Sequence, residues 1–178
     1  MMTARALVVA VAMAVSGMSA AADPTYNLGV DAWRKKDYAE AARQWSLSVL
    51  TGDLDAINNL AYLYANGMGV TQNADAADKL WRLAAFSGHA ESQWHLAISY
   101  EKGLGVPQDL VAAYAWYGCA IESAKRLAPA DASGTEAKIG GDAQASFRAI
   151  KDKLDQSRLA RAELLRALLV QRYGIAAP

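Results

Sequence analysis

Residues 60–70 read LAYLYANGMGV and residues 96–106 read LAISYEKGLGV, 36 positions later. What surrounds them aligns without a gap. Leu60-Ala61, Tyr64, Gly67, Gly69-Val70, Ala76-Ala77 and Ala84 return as Leu96-Ala97, Tyr100, Gly103, Gly105-Val106, Ala112-Ala113 and Ala120. Trp81 aligns with Tyr117, and Asn73 with Asp109. A fixed period of this length marks a repeat architecture, in which each unit buries its apolar stripe only against its neighbours.

Each unit reads as helix, turn, helix, which makes the chain all-α. Helix A of the middle unit is predicted from about Asp55 to Asn66, with Ala56, Leu60, Leu63 and Tyr64 on one stripe. Gly67 suits the left-handed residue that stops a helix, and Asn73, like Asp109, suits the cap of helix B. Small residues at matching positions, Ala61/Ala97 and Ala77/Ala113, let helices approach closely. A third, degenerate copy precedes these two. Trp45 and Gly52 stand 36 residues before Trp81 and Gly88, whereas Leu28-Gly29 and Ala32 are offset by 32 because a turn at Lys36-Asp37-Tyr38 replaces the glycine loop. The expected units are residues 23–55, 56–91 and 92–127.

The two ends differ from this pattern. Arg5, the apolar run Ala6 to Val15 and Ala20-Ala21-Ala22 have the order of a cleavable signal peptide over residues 1–22, with cleavage expected after Ala22. The apolar run is shorter than the roughly 20 residues that span a bilayer, so no stable membrane insertion is expected after cleavage. A periplasmic or secreted location follows as an expectation. Residues 128–142, with Gly140-Gly141 and many small polar residues, read as a loop. Residues 143–174 read as two helices that cap the stack. Leu164, Leu165, Leu168 and Leu169 on the last helix offer either an inward capping face or a surface for docking on a partner.

Charge is balanced overall, at 18 basic and 18 acidic residues. It is not evenly spread. Residues 23–124 hold 12 acidic and 7 basic residues, and residues 125–178 hold 10 basic and 6 acidic. The basic positions are too mixed with acids to suggest nucleic acid binding.

Groups suited to catalysis are few. The two histidines, His89 and His95, stand six apart and lack the spacing of a helical metal pair. Cys119 is the single cysteine, and it aligns with Leu47 and Leu83, which suggests a small buried hydrophobe. The Gly67/Gly69 and Gly103/Gly105 pairs follow helices and lack the Gly-Lys-Ser/Thr of a phosphate loop. No catalytic, metal or cofactor site is expected.

The segments 60–70 and 96–106, with the connector WRLAAFSGHAESQ at residues 81–93, resemble the Sel-1-like repeat family, relatives of the tetratricopeptide repeat. The first unit, with KKDYAEAA at residues 35–42, looks closer to a tetratricopeptide unit. The resemblance implies a right-handed α-solenoid whose A helices line a concave face, and an adaptor or scaffold role toward a protein or peptide partner in the cell envelope. It also implies an alternative, a regulatory or assembly factor in envelope polysaccharide export that touches glycan. Disulfide-rich members of the family are linked to β-lactam chemistry, and the paired cysteines this requires are missing here. In the repeat register Tyr26, Asn58 and Trp94 are equivalent, as are Val30, Tyr62 and Ile98, while Asn59 and His95 share a third row. These residues are the expected partner-binding ladder on the A-helix face.

Overall fold

The computed structural model describes residues 24–174, so the expected signal peptide and its cleavage site lie outside the described residues. Among the described residues eight α-helices follow in order: α1 Pro24–Arg34, α2 Tyr38–Val49, α3 Leu54–Asn66, α4 Ala74–Phe86, α5 Ala90–Lys102, α6 Leu110–Leu127, α7 Thr135–Lys151 and α8 Gln156–Leu169. A short 3-10 turn at Ala128–Ala130 follows α6, and α8 runs on into a π-helical turn at Val170–Gly174. Among the described residues there is no strand, and consecutive helices pack as pairs. The fold is an all-α repeat solenoid.

Caps set the unit boundaries. Every B helix begins on a side chain that accepts from its own first turn: Asp37 from Glu40, Asn73 from Ala76, Asp109 from Ala112. Of the A helices, α3 and α5 do the same with Asp53 and His89. The second and third units therefore start at Leu54 and Ala90, two residues ahead of the starts expected from the sequence, because the cap lies before the first apolar residue. Gly67 and Gly103 end their helices in the left-handed region, at φ 65° and 70°.

The glycine loop also joins units. A methyl group on Gly69 would overlap the backbone of Tyr38 and Ala39, at the start of α2, and one on Gly105 would overlap Ala74, at the start of α4. Each loop thus rests on the first turn of the preceding B helix. In place of a loop, the first unit turns at Lys36, a left-handed residue at φ 62°.

The apolar interior is a series of clusters, as expected when each pair contacts only its neighbours. Trp45, Leu60 and Leu63 centre one, and Ala61, Ala77 and Trp81 form a small second. The largest surrounds α6, where Tyr114, Tyr117 and Cys119 are buried. That helix is enclosed because α7 and α8 fold back onto it.

The C-terminal region differs from expectation. The loop expected at residues 128–142 is confined to the stretch between the 3-10 turn and α7, which starts at Thr135 and runs through Gly140-Gly141. The Asp131 carboxylate accepts from the amides of Ser133 and Glu136 at 2.9 and 2.7 Å and starts the helix. Ile139 then seats against Ala90 and Ala124. Burial on α6 outweighs the penalty of roughly 1 kcal/mol that each glycine brings to a helix.

Candidate partner-binding face

The A helices α1, α3 and α5 meet along one face through polar side chains. Asn59 of α3 hydrogen-bonds the Tyr26 hydroxyl of α1. Ser92 Oγ of α5 donates to Asn58 Oδ1 of α3 at 3.0 Å, a buried bond. His89, the cap of α5, reaches Asp55 Oδ1 of α3 at 3.0 Å.

An aromatic row crosses the same face. Trp33 meets Tyr62 edge-on, with centroids 5.9 Å apart, and Tyr62 lies 6.2 Å from His95. His95 stacks on Trp81 at 4.7 Å and touches Trp94 at 4.9 Å. Trp33 also packs on Tyr38 and Trp45.

Beside the row opens a cavity of about 390 Å³. Tyr26, Trp33, Trp45 and Tyr62 form its aromatic wall, and Asn59 and Glu91 supply its polar edge. The Trp45 indole N–H is buried without an acceptor, and so are those of Trp81 and Trp94. A second hollow of about 470 Å³ shares Tyr26, Asn59 and Glu91 with the first and continues to Asp55, Asp131 and Glu136. The two form one groove, aromatic at one end and acidic at the other.

Its electrostatics follow from these neighbours. Burial raises the Tyr26 hydroxyl above its ordinary range, and the Asp55 charge adds to this. The hydrogen bond to His89 holds Asp55 below the usual carboxylate range. His95, 3.8 Å from Glu91, does the same for that residue. Glu136 is raised, first by burial; the His89 charge opposes this, and the charges of Asp131, Glu91 and Asp55 add to it. Its Oε2 is buried and has no hydrogen-bond partner.

The ladder expected from the sequence is only partly one surface. Tyr26, Asn59 and Tyr62 share the cavity with Val30. Asn58 belongs to its floor, but it is 2% exposed and its carbonyl is taken by Ser92. Trp94 packs beside Ile139 of α7, and Ile98 packs against the large cluster around α6. The folding back of the C-terminal helices thus turns these two toward the interior. Trp33, Trp45, Glu91 and Asp55 were not expected, although Trp33 follows Tyr26 and Val30 at the spacing of one helix face. On α8 the four leucines divide. Leu169 packs inward, Leu165 is half-buried, and Leu164 and Leu168 are 65% and 55% exposed. Ala162 is fully buried, so the helix caps the stack.

Asp55, His89 and Ser92 stand in the order of a proton relay, with the imidazole 3.0 Å from the carboxylate and 2.8 Å from the hydroxyl. The arrangement is a helix cap. The Ser92 amide donates to His89 Nδ1 at 3.2 Å, which makes Nδ1 an acceptor and puts the proton on Nε2, facing Asp55. Ser92 is fully buried and its hydroxyl is committed to Asn58, leaving no approach for a substrate. Among the described residues no group of three or more His, Cys, Asp or Glu is placed to hold a metal, and no helix is long and apolar enough to cross a membrane.

Residues 54–89 and 90–124 each match the Sel1 repeat family. The fold is similar to that of a protective antigen of uropathogenic Escherichia coli with an SLR fold, at 25% identity and a TM-score of 0.71. The match covers 84% of this chain and 30% of that one. It is also similar to a Sel1 repeat protein from Oxalobacter formigenes, at 27% identity and a TM-score of 0.53, over 84% of this chain and 63% of the other. The chain thus spans less than two thirds of either protein. No curated protein matches the sequence significantly.

Proposed function

We propose that this chain, whose central helix pairs are two Sel1 repeats, is a non-catalytic scaffold that holds a segment of a partner protein on its A-helix face. Sel1 repeats commonly serve protein interaction. The observation that carries the reading is the cavity in which Tyr26, Trp33 and Tyr62 surround space for a side chain while Asn59 and Glu91 offer polar contacts at its edge. Aromatic walls with a few fixed polar groups suit a peptide anchor. The leader-like segment at residues 1–22 supports action in the cell envelope, periplasmic or secreted.

The test is affinity capture from envelope extract with the full chain, its Tyr62→Ala variant and its Trp33→Ala variant. Loss of the same captured protein in both variants, with their melting temperatures unchanged, supports the reading. Equal capture by all three sinks it. Stacked aromatics beside amides also suit a sugar ring, which keeps a role in envelope polysaccharide export as the second reading. Retention of glycan without protein, abolished by the same variants, would favour that one.

A further inference from the structure

The groove carries a charge pattern that narrows its partner. Asp55, Glu91, Asp131 and Glu136 line it, and no lysine or arginine does. Lys138, on the same helix as Glu136, is tied to Asp142 at 2.8 Å. Asp55 and Glu91 have the two imidazoles as partners, and Asp131 is spent on the first turn of α7. Glu136 keeps a buried carboxylate oxygen with no donor. Burial chiefly raises the Glu136 carboxyl, and the charges of Asp131, Glu91 and Asp55 add to this against the opposing effect of His89.

A carboxylate withdrawn from water without a partner is costly, and an incoming cation relieves that cost. The aromatic end adds to the same preference, since ring faces attract cations within about 6 Å. Trp33 and Tyr62 supply such faces next to Glu91. A guanidinium stacks on rings and donates in pairs to carboxylates.

We infer that the groove selects a basic peptide segment, holding an arginine or lysine side chain against Trp33 and Tyr62 with its charge on Glu91, and a second cationic side chain at Glu136. The inference rests on the peptide-scaffold reading and names the chemistry of its ligand. The aromatic row supplies the anchor, and the carboxylates supply discrimination between basic and acidic sequences.

The experiment uses the full chain immobilised and challenged with four decapeptide pools, randomised except for central arginine, lysine, glutamine or glutamate residues at two positions. The arginine and lysine pools are expected to be retained about tenfold more than the glutamate pool, with the difference shrinking as salt rises. Glu91→Gln and Glu136→Gln should each erode that preference without lowering the melting temperature. Equal retention of all four pools, reduced by Tyr62→Ala, overturns the charge inference and leaves the peptide scaffold standing. No retention of any pool by the wild-type chain overturns both. Self-association that Glu91→Gln abolishes, with no pool retained, overturns the inference and assigns the face to a second copy.

Discussion

His89 joins two repeats through its two ring nitrogens: Nδ1 accepts from the Ser92 amide at 3.2 Å, and Nε2 faces Asp55 of the preceding A helix at 3.0 Å. The side chain is largely buried, and the equivalent cap one unit earlier is Asp53, which has only the local half of this role. The cap and the cross-repeat link can be separated by substitution.

His89→Ala removes both and is expected to destabilise the fold by about 1–2 kcal/mol, from the lost cap and the orphaned buried Ser92 amide. His89→Asp, copying the preceding unit, should restore most of the cap. It also sets a second carboxylate beside Asp55, so it is expected to fall between the two. Chemical denaturation of the three proteins measures the order. An alanine variant as stable as the wild type would refute the capping role.

Asp55 gives a pH dependence with a definite sign. Its folded value is depressed, chiefly by the hydrogen bond to His89, so its contribution is present above the ordinary carboxylate range, about 4. The contribution is lost as pH falls through and below that value. Asp55→Asn should therefore melt lower than the wild type at neutral pH, with the gap closing between about pH 5 and pH 3. Melting curves across that range test it, and a gap that widens on acidification contradicts the assignment.

Gly52 and Gly69 separate backbone strain from collision. Both have positive φ, at 81° and 69°, but a methyl group on Gly52 meets nothing within 4 Å, while one on Gly69 meets the backbone of α2. Gly52→Ala is expected to cost about 1 kcal/mol. Gly69→Ala should cost at least about 1–3 kcal/mol more, because the unit must shift off its neighbour. Equal losses in denaturant titrations would show that the loop does not bear on α2.

Cys119 reports on the cap. Burial pushes its thiol up to about 12, and its sulfur lies 3.6 Å from the Leu169 carbonyl. At pH 8 a thiol-specific disulfide reagent should react with the native chain about a thousandfold more slowly than with the unfolded one. A chain ending before Gln156 should react quickly, since α8 and its π-helical turn cover the sulfur. Rapid labelling of the intact chain without denaturant would refute this.

The register placed Cys119 level with Leu47 and Leu83, and the inference of burial was right for a reason the register does not contain. Those leucines are 44% and 52% exposed, whereas the cysteine is covered by α8 and the turn after it. Local features were legible because local geometry demands them: Gly67 at a left-handed stop, Asn73 and Asp109 at helix starts, alanines at close contacts. Tyr26, Asn59 and Tyr62 were legible as a surface through their equivalent positions. Trp33 was hidden because the shifted register pairs it with Ala65 and Glu101, which are not aromatic. Glu91 and Asp55 resemble ordinary first-turn acids. The covering of Trp94 and Ile98, and the helix through Gly140-Gly141, depend on how distant segments fold together, which short-range pattern does not encode.

The seat of Gly69 on Tyr38 and Ala39, repeated by Gly105 on Ala74, gives the stack a direction of construction. The second and third units each carry a plug in the connector, and each plug enters the socket at the start of the second helix of the unit on its N-terminal side. A segment copied from residues 54–89 brings both parts. Lengthening the protein by tandem insertion at the Ser87–His89 junction therefore asks for no new contact surface, and the span of the array becomes adjustable one module at a time.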